Sequence, residues 1–413
     1  MGKRADKAGS VTKKIDKKNG KEYVSWRARW TDPEGNVKEK RFKSEADAQQ
    51  YLTKTLGEIQ SGSYIEPNNT TLEVWLNEWL ENFTTDLKYQ AKKSYESSIR
   101  VHIIPKLGKI KLEELRKDHI QIWVNTLSKS GKKVVTKDAE GNKKISYTKL
   151  APKSVKNHYI ALKAALAEAV EMKLIKENPA DGVKLPRVEK KEKKYLSKTQ
   201  LNDFMKAAKN DDLYYALAVL PLCGLREGEL LGLTWDCVDF DKNRLHVNKQ
   251  QIKRRISDGG YTLDSTKSDH SRRDVQLAPQ AMKLLEDRAV QQFEEKAKAG
   301  DVWRGFSNEE ERRIALVFTN AQGGNLNPKV LWRHCKKVLR SIGIENMTVH
   351  DLRHSFAVLS LEAGDDIKMI SGNLGHYSAS FTMDTYGHIS EAMMNDSAAR
   401  MQALLDSLKV INE

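Results

Sequence analysis

Five residue groups after position 220 carry side chains able to grip a phosphate or move a proton. Gly224-Leu225-Arg226-Glu227-Gly228-Glu229-Leu230 places an arginine just after a glycine at what reads as a helix start. Thr266-Lys267-Ser268 falls in a tight turn between two strand-like runs, and His350-Asp351-Leu352-Arg353-His354 reads as helix. Leu374-Gly375-His376 reads as a helix end, and Tyr386 follows ten residues later. A guanidinium matches two phosphate oxygens at fixed geometry, which suits Arg226 and Arg353 to stabilising a charged phosphoryl group. A tyrosine phenolate is a fair nucleophile for covalent catalysis. The sequence holds neither a P-loop nor an acidic metal cluster, so no cofactor, ATP or metal, is expected.

Each group alone has a plainer reading. Arg226 and Glu229 have the spacing of a helical ion pair. His350 and His354 share a helix face, as metal ligands do, but no glutamate of the metalloprotease pattern lies between them, and Arg353 would repel a cation. Lys267 alone would be a solvated turn residue, His376 a helix cap, and Tyr386 a half-buried core residue. In this order, however, the groups form one pattern. The stretch from about 195 to 390 resembles the catalytic domain of the tyrosine recombinases, the phage-type integrases, whose signature is Gly-Leu-Arg-x-x-Glu-Leu, His-x-x-Arg, Leu-Gly-His and a following Tyr-x-His.

The resemblance implies a set of roles. Arg226 and Arg353 would stabilise the phosphoryl transition state, and Tyr386 would attack DNA to form a 3′-phosphotyrosine bond that conserves energy for rejoining. Lys267 would give a proton to the departing 5′ oxygen. His350 would orient or deprotonate the tyrosine, and His376 would bond the phosphate. Glu229 would orient Arg226 or hold its helix. The expected activity is site-specific integration and excision of a mobile element at attachment sites. Two alternatives stand beside it: relaxation of DNA by a type IB topoisomerase, which uses a similar set, and a DNA-binding regulator that has lost catalysis.

These side chains need elements to carry them, and composition says how many. A chain of 413 residues exceeds one ordinary core, so two or three domains are expected. Its formal net charge of +15 points to a polyanionic partner. Residues 1–43 hold 14 Lys+Arg against 6 Asp+Glu, interleaved with Tyr23, Trp26 and Trp30. Glu22–Thr31 and Val37–Lys43 read as strands around the turn Asp32-Pro33-Glu34-Gly35, and Ser44 caps a helix. A three-stranded sheet backed by one helix is expected over 1–65. It resembles an arm-type DNA-binding module, with Arg27, Arg29, Lys40 and Arg41 as candidate contacts.

An all-α core-binding domain is expected over 66–180. Its first helix carries Leu72, Trp75, Leu76, Trp79 and Leu80; later helices run from Tyr95 to a break at Pro105, over Asp118–Leu127, and through Val155–Val170. Lys132–Tyr147 reads as a hairpin around Glu140-Gly141-Asn142, with no assigned place in the family pattern and no assigned function. Residues 181–194 read as a cationic linker, with Lys190, Lys191, Lys193 and Lys194 able to track a phosphate backbone. The remainder, 195–413, reads as a mixed, mainly α catalytic domain with a small antiparallel sheet. Its expected strands are Leu245–Arg255, Tyr261–Ser265, Arg272–Leu277 and Leu316–Asn320, and a helix is expected over Asp211–Leu222. A final helix carries Met401, Leu404 and Leu408, to dock in its own domain or on a neighbouring protomer.

Cys223, Cys237 and Cys335 show no paired spacing, which argues against a disulfide framework and a cysteine zinc site. No apolar run is long enough for a signal peptide or a bilayer span, so a cytoplasmic, nucleoid-associated protein without a membrane partner is expected. The resemblance implies further partners: double-stranded DNA with core-type and arm-type sites, a homotetrameric synapse, and an excisionase or host DNA-bending factor.

Overall fold

The computed structural model describes the chain except for residues 1–8, 19–20, 67–68, 138–141, 190–192, 255–259, 266–271, 306–313, 376–382, 384–400, 403–404 and 407–413. It divides into two compact units, Met1–Lys190 and Lys191–Glu413.

The first unit opens with an antiparallel sheet of β1 (Ser10–Lys18), β2 (Lys21–Thr31) and β3 (Val37–Phe42), in that order, followed by α1 (Glu45–Gln60). Alternation along β2 divides its side chains between two faces. Ala28 and Trp30 are buried with Ala48 and Leu52 of α1, while Arg29 points to solvent. The Asp32 carboxylate accepts from the backbone N–H of Glu34 and Asn36, which closes the turn between β2 and β3. Ser44 caps α1 as its sequence predicts, its hydroxyl accepting from the Asp47 N–H at 3.1 Å.

Helices complete this unit: α2 (Leu72–Asn82), α3 (Tyr89–Ser97), α4 (Ile104–Leu107), α5 (Lys117–Ser130) and α6 (Pro152–Glu171). Between α5 and α6 stands a hairpin of β4 (Lys132–Lys137) and β5 (Lys143–Thr148). Two tryptophans bury their rings and still satisfy their N–H groups: Trp75 donates to the Ala165 carbonyl and Trp123 to that of His102, each at 2.8 Å. The break expected at Pro105 does not occur there. A π-helical turn over Ser98–Ile103 leads into α4, and Pro105 occupies its first turn, where no backbone N–H is required. The chain leaves the helix only at Gly108.

The second unit contains α7 (Lys198–Ala208), α8 (Tyr214–Cys223), α9 (Glu227–Leu231), β6 (Val238–Asp239), β7 (Arg244–Val247), β8 (Lys249–Lys253), β9 (Tyr261–Ser265), β10 (Arg273–Gln276), α10 (Pro279–Ala299), α11 (Pro328–Ser341), α12 (Val349–Glu362) and α13 (Ile367–Leu374). Among the described residues the expected small antiparallel sheet is present in two parts, three strands in the order β10-β7-β6 and the pair β8-β9. The long strand expected over Leu245–Arg255 is interrupted at Asn248, so its halves join different sheets. Leu316–Asn320 forms no strand and makes only isolated bridges, Thr234 to Leu316 and Thr319 to Asn325. The helix expected from Asp211 begins at Tyr214, because the Asp211 carboxylate accepts from the Leu213 N–H and the His334 ring instead.

The three cysteines are free and buried, and burial pushes the thiols of Cys223 and Cys335 up to about 12, as core residues. Among the described residues no helix is long and apolar enough to cross a membrane.

The Trp75 indole is almost wholly buried at the centre of the helical core. Trp75→Ala removes both its volume and its bond to Ala165, and is expected to destabilise the protein by about 3–5 kcal/mol. Urea denaturation followed by circular dichroism measures this; a change under about 1 kcal/mol would show that the indole is not a core anchor.

Candidate active site

The site is built around the end of α8. Gly224 terminates that helix in the left-handed conformation, at φ +61°. A Cβ there would meet the Phe356 ring of α12 at 2.5 Å, so only glycine permits both the turn and the close packing. The turn delivers Arg226 to the N-cap of α9, where its backbone N–H donates to the Glu229 carboxylate at 2.9 Å.

Glu229 is only 2% exposed, yet it is the hub of the site. Arg226 Nη1 donates to its Oε1 at 2.6 Å. Arg273, on β10, forks both oxygens, with Nη1 to Oε1 at 3.1 Å and Nη2 to Oε2 at 2.8 Å. Arg353 Nη1 lies 3.9 Å from Oε2. Burial by itself would raise the Glu229 carboxyl; the Arg273 fork, then Arg226, outweigh it and bring the group down to about 2.

The same three arginines hold the end of α13. Its last carbonyls lack helical partners and carry the negative end of the helix dipole. Arg273 Nε donates to the Asn373 carbonyl, Arg353 Nη2 to that of Leu374, and Arg226 Nη2 to that of Gly375 at 2.8 Å. Arg353 also donates through Nη1 to the Gly224 carbonyl at 2.7 Å, tying α12 to the end of α8. Three consecutive carbonyls thus meet three arginines that share one carboxylate. Arg353 is buried, whereas the Arg226 side chain remains 31% exposed.

His350 lies on α12, one turn before His354, with the two rings edge to face at 4.9 Å. Crowding by the fold lowers the His350 pKa, and Arg353, Lys193 and Arg226 lower it further against the opposing pull of Asp351. His354 is buried, and burial, then His350, brings it down to about 4. Both rings are therefore neutral near pH 7, and a neutral imidazole can accept a proton.

The sequence-derived candidates are distributed as follows. Arg226, Arg353 and His350 come together here, while Lys267, His376 and Tyr386 lie outside the described residues. The last strand residue before Lys267, Ser265, ends β9, and α13 ends one residue before Gly375-His376. In the sheet of β1–β3, Arg27, Arg29 and Arg41 share the face turned away from α1; Arg27 pairs with Glu39 and Arg41 with Asp16. Lys40 stands on the other face, its ammonium 4.5 Å from the centre of the Tyr51 ring of α1. Lys193 and Lys194 are exposed; Lys190 and Lys191 are not among the described residues. Arg273 was not singled out from the sequence. Its only signal there is an arginine pair, Arg272-Arg273, inside a strand whose neighbours alternate.

The chain is similar to known proteins over most of its length. Residues 194–393 match the phage integrase family, and residues 71–128 match the phage integrase N-terminal SAM-like domain. A XerC-like tyrosine recombinase of Caldanaerobacter subterraneus subsp. tengcongensis is 28% identical over 391 residues, spanning 90% of this chain and 94% of that protein. The integrase of transposon Tn1549, solved in complex with a circular intermediate DNA, superposes with a TM-score of 0.63 at 19% identity, covering 81% of this chain and 99% of that one. A lambda integrase tetramer bound to a Holliday junction gives 0.50 at 18%, covering 93% and 97%. At these identities the structural likeness is one of fold.

The His350 ring is expected to titrate below the ordinary imidazole value of about 6.5, because partial desolvation by the surrounding fold and neighbouring cations both disfavour its charged form. NMR of the histidine side chains, with His350→Gln to assign the signal, gives the midpoint. A midpoint at or above that value would mean the arginines do not act on the ring.

Proposed function

The chain belongs to the phage integrase family, the tyrosine-type site-specific DNA recombinases, and on that premise we propose how its own residues divide the work. Tyr386 attacks the scissile phosphorus; the bond to the 5′ oxygen breaks as a 3′-phosphotyrosine bond forms. Lys267 supplies the proton that the departing 5′ hydroxyl needs. In the second step a 5′ hydroxyl from the partner duplex attacks the phosphotyrosine, and Tyr386 leaves. Because each step exchanges one phosphodiester for another, no external energy source is required.

Arg226 supplies the exposed guanidinium for the phosphoryl oxygens, and Arg353 supports it from beneath. Losing one such positioned donor costs roughly a hundredfold or more in rate. Neutral His350 accepts the phenol proton or orients the phenol, and His376, which follows Gly375 in the sequence, bonds the phosphate. The observation that carries this reading is the convergence of Arg226 and Arg353 on the Glu229 carboxylate, with His350 three residues before Arg353 on α12, in a chain whose match to the family continues past Tyr386.

The division of the chain follows from the same reading: an arm-binding module over 1–65, a core-binding domain over 66–180, a basic linker over 181–194, and a catalytic domain over 195–413. Arg27, Arg29 and Arg41, sharing one sheet face, are suited to arm-type DNA, and Lys193 and Lys194, with Lys190 and Lys191, to the backbone of core-type DNA. Four protomers would form the synapse, and an excisionase or host bending factor would set direction. The protein would act in the cytoplasm, on the nucleoid.

The test is a nicked duplex built from DNA flanking the gene, incubated with protein in EDTA and without ATP. The nick lets a short 5′-hydroxyl fragment diffuse away and traps the covalent intermediate. Wild type is expected to give an SDS-resistant adduct, and Tyr386→Phe none. An adduct of equal yield with Tyr386→Phe would overturn the nucleophile assignment. Relaxation of a supercoiled plasmid lacking attachment sites, at the rate seen with them, would favour the topoisomerase reading.

A further inference from the structure

We propose that the β4–β5 hairpin is a DNA-contacting ribbon that this chain adds to the core-binding domain. It lies beyond the segment matched to the SAM-like domain, which ends at residue 128, and before the catalytic match begins at 194. The inference rests on the recombinase reading only in taking duplex DNA as the partner.

The hairpin is exposed on both faces. Every residue of β5 is exposed, and so are Lys132, Lys133 and Val135 of β4. None of its residues joins a core cluster among the described residues. An isolated two-stranded ribbon is marginally stable in water, so this one gains most from a surface that covers it.

Its composition selects that surface. Residues 132–149 hold six lysines (Lys132, Lys133, Lys137, Lys143, Lys144 and Lys149) against two acids, Asp138 and Glu140. Lys132, Lys133, Lys143 and Lys144 make no ion pair with a described acidic residue. The register pairs Val135 with Ile145 and Lys133 with Tyr147 on one face, and Thr136 with Lys144 and Lys132 with Thr148 on the other. Val135, Ile145 and Tyr147 are 52%, 53% and 62% exposed. An apolar centre flanked by exposed ammonium groups suits a surface that is itself apolar inside and anionic at its edges. The major groove of a duplex has that character: thymine methyl groups on its floor and phosphates along both rims. It is about 12 Å wide and admits a two-stranded ribbon, whose strands lie about 4.8 Å apart. An acidic protein surface would satisfy the lysines but not the apolar stripe between them.

The test uses the full chain with Lys132, Lys133, Lys143 and Lys144 all changed to Gln, and, separately, Ile145→Ser with Tyr147→Ser. Binding to the trap duplex is followed by fluorescence anisotropy across a series of NaCl concentrations. Each phosphate contact contributes about 0.9 to the slope of log K against log salt. The lysine variant is expected to lose about 2 or more from the slope, and the hydroxyl-radical footprint of both variants to shorten on one side. An unchanged slope and footprint in variants with wild-type thermal melting would overturn the proposal. So would a loss of self-association on sedimentation with DNA binding intact, which would assign the ribbon to a second copy of the chain. A changed slope in a protein whose wild type forms no adduct would keep the ribbon and reject the recombinase reading, so the two failures are distinguishable.

Discussion

A single buried carboxylate organises the catalytic unit. Glu229 sits in the core with the buried side chains of Arg273 and Arg353 and the partly exposed Arg226 around it, and none of the three buried charges is tolerable there alone. An unpaired charge taken out of water costs several kcal/mol, and removing one partner from a buried pair typically costs about 3–5 kcal/mol. The cluster therefore assembles as a whole, and its geometry is fixed by charge balance rather than by any one contact. Protonation would dissolve it: the carboxyl must be ionised, so the stability it contributes is present above the ordinary carboxylate range and is lost as pH falls toward about 2.

The remaining features follow from what the arginines hold with their other N–H groups. They reach across to the last three carbonyls before His376, and so convert an electrostatic cluster into a fixed helix end. Each arginine comes from a different element: Arg226 from the cap of α9, Arg273 from β10, and Arg353 from α12. The strand that carries Arg273 begins six residues after Lys267 in the sequence. A side chain that belongs to no family signature thus connects the lysine segment to the histidine segment through the Glu229 carboxylate. Gly224 permits this convergence, because a larger residue would collide with Phe356 and move α12 away.

Much of this was legible in the sequence, for identifiable reasons. Arg226, Glu229, His350 and Arg353 occur in short local patterns, and the Gly-Leu-Arg turn, the Ser44 cap and the Trp75–Trp79 helix face are likewise local signals. What was not legible depends on contacts between distant segments. Arg273 is an unremarked strand residue until Glu229, 44 positions earlier, is seen to meet it. Lys40 is exposed, as charge in a strand suggests, but only the register shows that it stands on the Tyr51 face and not with Arg27, Arg29 and Arg41. Pro105 read as a helix break because sequence gives no sign of the π turn that accommodates it. Leu316–Asn320 has the composition of a strand, yet isolated bridges are all it makes.

The order of the site depends most on the Arg273 fork, and one measurement reaches it directly: single-turnover formation of the covalent adduct by Arg273→Lys at saturating trap duplex, beside its affinity for that duplex. Lysine keeps the charge but cannot fork the carboxylate while holding the Asn373 carbonyl. If the fork positions the α13 end, the rate should fall by about tenfold or more, with affinity and thermal melting close to wild type. A wild-type rate in a folded Arg273→Lys protein would contradict the account, and would leave Arg226 and Glu229 sufficient to order the site.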